Sequence, residues 1–371
     1  MTPIREPLLF SEATLGNLRL KNRIAMAPMT RARATADHIP TPIMATYYAQ
    51  RASAGLLIAE GTSPSPNGAG YAWIPGIYNA AQIEAWRRVT DAVHSRDGRI
   101  FVQLMHTGRI SHPLNMDGGA IVVAPSPITP AGEIFAGTAG AKPYPAPKEM
   151  TIFEVEEAIE EFVQAARNSV AAGFDGIEIH GANGYLIEQF IRPTSNRRTD
   201  AYGGTIAGRA QFLLEIVRRT GEAIGIDRVG VRLSPFGTFN DMPLYPEMAE
   251  DYLYLARELS RLGIAYLHLI DHAAPGEPSP VPDEIRARLR EAFRGPLISA
   301  GGYDARSGEA ALQTGEAEFI AIGKPFIGNP DLVERLRAGH ELNALDFKTF
   351  YGGGEAGYVD YPALDRETEC A

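Results

Sequence analysis

The sequence contains a single cysteine, Cys370, which is next to its last residue. One cysteine excludes an internal disulfide framework, a cysteine-ligated iron–sulfur cluster and a structural zinc site built on cysteines. No run of about 18 apolar residues occurs, and the N-terminal MTPIREPLLF lacks a long apolar segment, so neither a membrane span nor secretion is indicated. We therefore expect a cytoplasmic protein without a metal centre.

Dense tracts of lysine and arginine are also missing, and the formal net charge is −10. Nucleic acid and anionic membranes are therefore not expected partners. Hydrophobic residues make up 45% of the chain and charged residues 22%, which is typical of a globular protein with a large core. Barrels of alternating strands and helices fill roughly 200 to more than 400 residues as one domain, so we expect residues 1–371 to form a single domain.

Eight short apolar or β-branched runs end in glycine, proline or a polar residue, which is typical of strands. The predicted strands are Arg23–Ala27, Leu56–Glu60, Ile100–Met105, Gly176–His180, Val229–Ser234, Tyr266–Ile270, Leu297–Ala300 and Phe319–Ile322. The predicted helices between and after them are Thr41–Ala54, Ala81–Ser95, Ile152–Ala172, Ala207–Ile224, Pro246–Leu262, Asp283–Phe293, Ala305–Gln313 and Pro330–Ala338. This alternation predicts an α/β fold, the (β/α)8 TIM barrel.

Three segments lie outside the eight units. Leu8–Lys21, with a turn near Leu15–Asn17, predicts an N-terminal β-hairpin that plugs the bottom of the barrel. The stretch at about 107–150 is rich in glycine and proline and is too long for a simple connection, so we expect a lid insertion between the third strand and the third helix. The tail Phe347–Ala371 is expected to fold back onto the barrel.

Helix starts are also readable in the sequence. Thr151, followed by Glu154, has the spacing of a capping box. Asp304 and Asn329 stand where helix N-caps are expected.

The segment Glu178–Gly204 places three polar residues, His180, Asn183 and Tyr185, where a short strand ends. In a barrel of this type the chemistry is carried at the carboxyl ends of the strands. His180 and Asn183 are three residues apart, so both can donate a hydrogen bond to one substrate oxygen, and Tyr185 would hold a proton donor nearby. A helix cap, a turn residue and a core tyrosine would fit this short pattern equally well.

Other strand ends carry polar residues or glycines. They are Thr30, Gly61, Thr62, Gln103, His106, Arg232, Gly301, Gly302, Gly323 and Lys324. Glycines after the seventh and eighth strands match the phosphate site of many such barrels, with Lys324 as an added positive charge or as a surface lysine. Arg232 lies within an apolar strand, where a buried guanidinium needs a bound anion or a negatively charged reduced cofactor.

The chain resembles the Old Yellow Enzyme family of flavin mononucleotide (FMN) barrels over essentially its whole length. Within that family it is most similar to the bacterial N-ethylmaleimide, pentaerythritol tetranitrate and morphinone reductases. The motifs that carry the resemblance are AMAPMTR, IPTPIMATYYAQRASAGLLIAEGT, VQLMHTGRISH, GFDGIEIHGANGYLIEQFIRPTSNRRTDAYGG, VRLSPFGTF, SAGGY, IGKPFIGNPDL and FYGGG.

The resemblance implies a cofactor site for bound FMN. Thr30 would hydrogen-bond the C4 carbonyl of the flavin, Gln103 its pyrimidine edge, and Arg232 the side with N1 and the C2 carbonyl. Met29 and Gly61 would contact the flavin through their backbone, and Pro28 and Gly301 would belong to the same site. Gly302, Gly323 and Lys324 would hold the phosphate.

The resemblance also implies the reaction, an ene-reduction with NADPH or NADH as reductant. His180 and Asn183 would bind the carbonyl or nitro oxygen of an activated alkene, whose β-carbon accepts hydride from flavin N5. Tyr185 would protonate the α-carbon, while Tyr71, Met105 and Tyr351 would line the pocket. Because the nicotinamide would occupy the same pocket before the substrate, ping-pong kinetics are expected.

Three departures from the family pattern qualify the resemblance, at Lys324, at Met105 and in the lid. Lys324 stands where many relatives have arginine, and it binds phosphate as a point charge. Met105 stands where several bacterial relatives have tryptophan, which implies a roomier pocket wall. The lid at Gly132–Glu149 is shorter than in several relatives. Thr30, where another branch has cysteine, favours the branch of the bacterial reductases.

Two alternatives stay open at this point: a flavin-free barrel lyase or aldolase that uses Lys324 as a Schiff base, and a flavin-binding redox sensor without turnover. Larger relatives with an iron–sulfur cluster and extra domains are excluded by the single cysteine and the length of 371 residues. The sequence leaves undetermined the physiological substrate, the choice between NADPH and NADH, activity on nitro compounds or nitrate esters, and whether the protein is a monomer or a homodimer.

Overall fold

A computed structural model of the protein describes residues 6–271 and 279–364. The last seven residues of the predicted tail segment, which include Cys370, therefore lie outside the described residues. None of the helices in the described ranges is both long and apolar enough to cross a membrane.

Eight parallel strands close into a barrel, as the alternation of runs predicted. They are β3 (Ile24–Met26), β4 (Leu56–Thr62), β5 (Ile100–Leu104), β10 (Gly176–Gly181), β11 (Val229–Leu233), β12 (Tyr266–Ile270), β13 (Leu297–Ala300) and β14 (Phe319–Ile322). Each strand pairs with its sequence neighbour in the barrel, and β14 pairs with β3 to close the ring. The fold class is therefore confirmed as α/β.

Helices surround the barrel in the positions expected for the fold. They are α1 (Pro42–Gln50), α2 (Ala80–His94), α3 (Ile152–Ala171), α4 (Leu186–Ile191), α5 (Ile206–Ile224), α6 (Met248–Leu262), α7 (Asp283–Ala292), α8 (Ala305–Gln313), α9 (Lys324–Gly328) and α10 (Leu332–Ala338). The short helices α4 and α9 were not predicted, because six and five residues carry too little periodicity to be recognised.

Successive side chains along each strand point to opposite faces of the barrel wall, and this alternation separates two apolar layers. Ile177 and Ile179 of β10 belong to the large core between strands and helices, whereas Phe101, Tyr266 and Phe319 form a second cluster inside the barrel. Residues at even positions of β10, including Glu178 and His180, therefore share the interior face. Polar residues on that face lie above the apolar layer, toward the carboxyl ends of the strands.

The N-terminal hairpin was correctly predicted. Strands β1 (Ala13–Leu15) and β2 (Leu18–Leu20) pair in antiparallel fashion. Leu15 and Leu20 are 1% exposed and join the apolar cluster inside the barrel. The hairpin thus closes the bottom of the barrel and leaves its upper end for chemistry.

The segment between β5 and α3 contains two small sheets. One pairs β6 (Val123–Ala124) with β9 (Lys148–Glu149), and the other is the hairpin of β7 (Glu133–Phe135) and β8 (Ala141–Pro143). That this segment acts as a closing lid stays a prediction.

Two of the three predicted helix caps are confirmed. The Thr151 side chain accepts the Glu154 backbone N–H at 3.2 Å, and Asp304 accepts the Ser307 N–H at 2.7 Å. The N-cap prediction for Asn329 is wrong, because α9 ends there and α10 begins two residues later than predicted, after Asp331. Asn329 instead donates to the Pro325 carbonyl and accepts from the Asn343 N–H.

The tail folds back onto the barrel over its described residues, as expected. The carbonyl of Phe350 accepts from Arg31 Nε and from Arg33 Nη1, both at 2.9 Å. Farther along, the ring of Tyr358 stacks on Tyr47 with 4.1 Å between centroids. These contacts hold the tail beside the upper end of the barrel.

Candidate active site

A cavity of about 700 Å³ opens at the carboxyl ends of the barrel strands. Many of the predicted site residues line it: Pro28, Thr30, Tyr71, Gln103, Met105, His180, Asn183, Tyr185, Arg232 and Tyr351. They come from four strand ends, from the loop after β4 and from the tail. The fold thus brings together residues that are more than 300 positions apart in the sequence.

His180 ends the interior face of β10 and is 3% exposed. Its Nδ1 is buried without a hydrogen-bond partner among the described residues. Burial, together with the positive charge of Arg232, holds the pKa of His180 well below its ordinary value. The imidazole is therefore neutral near pH 7 and can donate from one ring nitrogen.

Asn183 lies in the turn between β10 and α4, with φ of +60°. Its backbone N–H donates to Ser234 Oγ at 2.9 Å, and its carbonyl accepts from Asn240 Nδ2 at 2.8 Å. These two bonds fix a left-handed backbone that asparagine tolerates better than most residues. Asn183 Oδ1 is buried without a partner among the described residues, so its side-chain amide is left for another molecule.

Tyr185 follows in the same turn and is 7% exposed. Its hydroxyl lies 3.3 Å from Tyr71 Oη, and its ring centroid is 5.0 Å from that of His180. Burial raises the pKa of the Tyr185 phenol, while its bond to Tyr71 offsets part of that rise. The hydroxyl is therefore protonated at neutral pH and lies beside His180.

The floor of the cavity carries Gln103 and Arg232, which are 3% and 5% exposed. In the strand register, Arg232 of β11 is paired with His180 of β10 on one side and with His268 of β12 on the other. Burial lowers the pKa of Arg232, yet a guanidinium keeps its proton in proteins. Its Nε has no partner among the described residues, as expected for an arginine that awaits a bound group.

Six of the predicted cofactor residues do not line this cavity: Met29, Gly61, Gly301, Gly302, Gly323 and Lys324. Gly61 instead makes room for the pocket wall, because a Cβ there would lie 2.6 Å from Met105 Sδ. The other five follow β3, β13 and β14, which are neighbours in the barrel. Gly302 has φ of +70°, a conformation that favours glycine.

Sequence reasoning missed several residues of the site. Trp73, Phe135, Tyr144, Phe239 and Asn240 also line the cavity. Glu178 and His268 lie beneath it, and the period-two alternation of a strand would have revealed Glu178, since it shares a face with His180. The aromatic residues come from loops whose path the sequence does not specify.

Comparison with known proteins identifies this arrangement. The model of the NADH:flavin oxidoreductase / NADH oxidase family matches residues 8–343 of the chain. The chain belongs to this family, the Old Yellow Enzyme family. It is therefore an FMN-binding, NAD(P)H-dependent flavin oxidoreductase among the ene-reductases, and both the flavin-free lyase and the sensor without turnover are contradicted.

Relatives match over nearly their whole length. Chanoclavine-I aldehyde reductase of Penicillium roqueforti is 45% identical and covers 95% of each chain. 12-Oxophytodienoate reductase 7 of Oryza sativa subsp. japonica is 41% identical over 96% of this chain and 94% of the relative.

Solved structures agree with the fold. Morphinone reductase superposes with a TM-score of 0.93 at 42% identity, covering 99% of each chain. Its complex with tetrahydroNAD gives 0.92 at 43% identity, covering 98% of this chain and 99% of that one. The old yellow enzyme homologue from Zymomonas mobilis gives 0.91 at 40% identity, covering 96% and 100%.

The residues around the cavity fit FMN. Arg232 Nε, His180 Nδ1 and Asn183 Oδ1 are buried polar atoms without partners among the described residues, which is costly unless a ligand supplies them. A flat ring bearing carbonyl and N–H groups, with a substrate above it, offers partners of the required kinds. The cavity is also large enough for such a ring.

Proposed function

We propose that the protein uses NADPH or NADH to reduce the C=C bond of alkenes activated by a carbonyl or nitro group. The observation that carries this proposal is the convergence of His180, Asn183 and Tyr185 on one cavity. Among the described residues, His180 Nδ1 and Asn183 Oδ1 are buried without partners, so neither side chain is fully paired within the protein, and the protonated hydroxyl of Tyr185 lies beside them.

His180 and Asn183 would bind the activating oxygen of the substrate. A neutral imidazole and a carboxamide both donate hydrogen bonds without carrying a charge, so they bind a neutral carbonyl only modestly. Their bonds strengthen as negative charge develops on that oxygen during the reaction. The pair would therefore stabilise the transition state more than the bound substrate, which is what accelerates a reaction.

Tyr185 would donate the proton to the α-carbon as a general acid. Its raised pKa keeps the phenol protonated at neutral pH, as this role requires. Tyr71 Oη, 3.3 Å away, accepts the Tyr185 hydroxyl in the absence of substrate and thereby orients it.

The remaining predicted residues would hold the cofactor. Bound FMN supplies the hydride for the β-carbon. Thr30, Gln103 and Arg232 would hold its ring, with Pro28, Met29 and Gly61 packed beside it. Gly301, Gly302, Gly323 and Lys324 would hold its phosphate, because they follow the adjoining strands β13 and β14.

The mouth of the cavity favours apolar, ring-bearing substrates. Phe135 and Phe239 are each 54% exposed at this mouth, and Tyr351 is 70% exposed. Exposed aromatic side chains around a cavity are typical of sites that bind apolar surfaces. The relatives are named for chanoclavine-I aldehyde, 12-oxophytodienoate and morphinone, which supports a carbonyl-bearing substrate.

An anaerobic spectral titration tests the proposal. NADPH or NADH should bleach the visible absorption of the bound flavin, and 2-cyclohexenone should restore it with formation of cyclohexanone. Cyclohexanone, which lacks the double bond, is the matched control and should restore nothing. Flavin that is bleached but stays reduced with every activated alkene tested would contradict the proposed substrate class.

A further inference from the structure

Glu178 is a buried carboxylate that the reaction described above does not use. It lies on the interior face of β10, two residues before His180, and is 0% exposed. Oε1 accepts Gln103 Nε2 at 2.8 Å, and Oε2 contacts Tyr266 Oη at 3.1 Å and His268 Nδ1 at 2.8 Å. Donors from two other strands therefore converge on one carboxyl group beneath the cavity.

These contacts keep Glu178 ionised. Burial alone would raise its pKa, but His268, Arg232 and Gln103 together outweigh burial and lower it. Burial holds the pKa of His268 below its ordinary value, so a neutral imidazole donates its Nδ1 hydrogen to Glu178. The hydrogen bond from His268 and the positive charge of Arg232 on the adjacent strand together hold the pKa of Glu178 below its ordinary value.

An ionised carboxylate can only accept hydrogen bonds, and this fixes the orientation of Gln103. The side-chain amide must turn its NH2 group toward Glu178, since an oxygen there would face a negative charge. Its Oε1 is then the atom left for the cavity. Gln103 therefore offers an acceptor to the N–H of a bound ring.

The charge of Glu178 also acts on the cavity directly. Fields are weakly screened in a buried site, so a carboxylate beneath the cavity opposes added negative charge there. Arg232 favours such charge, and Glu178 offsets part of that effect. The electron affinity of a redox cofactor above the floor depends on this balance.

We propose that Glu178 is a positioning residue that presents the Gln103 oxygen to the FMN ring and moderates the effect of Arg232 on the reduction potential. This inference depends on FMN binding and does not depend on which alkene is reduced. It therefore stands or falls separately from the proposed substrate class.

The test is Glu178→Gln in the holoenzyme, with FMN affinity and midpoint potential measured without any alkene. Loss of the charge should move the midpoint potential to a more positive value. Loss of the fixed Gln103 orientation should weaken FMN binding by about tenfold, equivalent to one hydrogen bond of about 1.4 kcal/mol. A purely structural role would lower stability and leave the potential of the retained flavin unchanged.

Three further variants separate charge from packing. Glu178→Asp keeps the charge and should keep the potential close to that of the unmodified protein. Tyr266→Phe removes one hydrogen bond without removing the charge and should also leave the potential in place. His268→Leu removes the neighbour that does most to lower the pKa of Glu178, so this pKa should rise, Glu178 should take up a proton and the potential should again become more positive.

The His268 variant keeps the proposal testable if Glu178→Gln does not fold. Midpoint potentials equal to that of the unmodified protein in every variant that folds and retains FMN would overturn the inference. A potential that shifts equally in Glu178→Asp and Glu178→Gln would overturn it as well, since the charge would then have no separate effect.

Discussion

At the scale of single residues, the unpaired polar atoms are the most informative feature of the site. Buried polar groups are normally paired, and within the described part of the chain His180 Nδ1, Asn183 Oδ1 and Arg232 Nε are exceptions clustered in one region. The same arrangement keeps His180 neutral, so its contribution to binding a neutral carbonyl is modest. The contribution of His180 to binding grows only when the bound oxygen gains negative charge.

Replacement of Tyr185 by phenylalanine should separate the two halves of the catalytic cycle. FMN binding and its reduction by NADPH should be retained, because the ring and its packing remain. Reduction of 2-cyclohexenone should slow by roughly 10²- to 10⁴-fold, the usual contribution of a general acid. Stopped-flow measurement of each half-reaction checks this expectation.

Tyr71→Phe is the matched control for that experiment, since it removes the partner hydroxyl at 3.3 Å and leaves the proton donor in place. Its effect on alkene reduction should be much smaller than that of Tyr185→Phe. Equal rates of alkene reduction in the unmodified protein and Tyr185→Phe would remove Tyr185 from the mechanism.

At the scale of structural elements, the tail contributes Tyr351 to the cavity, and two arginines just after β3 hold it there. Arg33 donates to the carbonyls of Phe350 and Thr349 at 2.9 and 2.7 Å, and its guanidinium lies 4.6 Å from the centroid of Tyr358. These bonds hold the two residues just before Tyr351, and the Gly352 N–H just after it donates to the Arg31 carbonyl at 3.0 Å. The tail is therefore part of the pocket wall.

Arg33→Lys should loosen this attachment, because lysine cannot reproduce a planar group that donates to two carbonyls at once. We expect a loss of roughly 1–3 kcal/mol of local stability and faster amide hydrogen exchange in residues 349–358. KM for a bulky enone should rise more than kcat falls, since Tyr351 lies at the mouth.

Arg19→Lys offers a comparison on the exposed hairpin, where the side chain is 78% exposed and pairs with Glu12. A surface pair of this kind contributes little to stability and lies far from the tail in the fold, so exchange in the tail should not change. Unaltered exchange in Arg33→Lys would show that the arginine does not hold the tail.

At the scale of the whole molecule, the barrel buries several histidines in the neutral state. Burial lowers the pKa of His106 to about 3, and it also lowers those of His180 and His268. In the unfolded chain a histidine is protonated below about pH 6.5. The unfolded state therefore binds more protons than the folded state below that pH.

The free energy of unfolding should consequently decrease as the pH falls below about 6.5. The slope should reach about 1.4 kcal/mol per pH unit for each histidine kept neutral in the folded state. For His106 the loss should continue down to about pH 3. Denaturant unfolding of the holoenzyme between pH 7 and pH 5 measures this slope. Most carboxylates titrate below that pH range.

His106→Asn should reduce this slope, because asparagine does not bind a proton in this pH range. The substitution should be tolerated, since asparagine can still accept the Gly108 N–H that His106 Nδ1 accepts at 3.1 Å. His340→Asn, the same change at an exposed position, is the control and should leave the slope as it was. A slope unaffected by His106→Asn would contradict the contribution assigned to this residue.

Much of the fold was predictable because strand and helix periodicity are local properties. Tyr266–Ile270, Leu297–Ala300 and Phe319–Ile322 were predicted with the bounds that the structure has. Asn329 was misassigned because the adjacent helix α9 is too short to leave a periodic signal. The site residues followed from strand ends and from the family motifs, and their roles stay predictions.

The number, order and type of the barrel elements follow from the sequence, since each run carries its own pattern of apolar residues. The contacts of Glu178 with Gln103, Tyr266 and His268 do not follow from the sequence, because 75, 88 and 90 positions separate these residues from Glu178. Closure of the barrel sets which side chains meet inside it, through strand register and a shared interior face. The neutral state of His180, the orientation of Gln103 and the place of Tyr351 all depend on that closure, since burial and contact exist only in the folded chain.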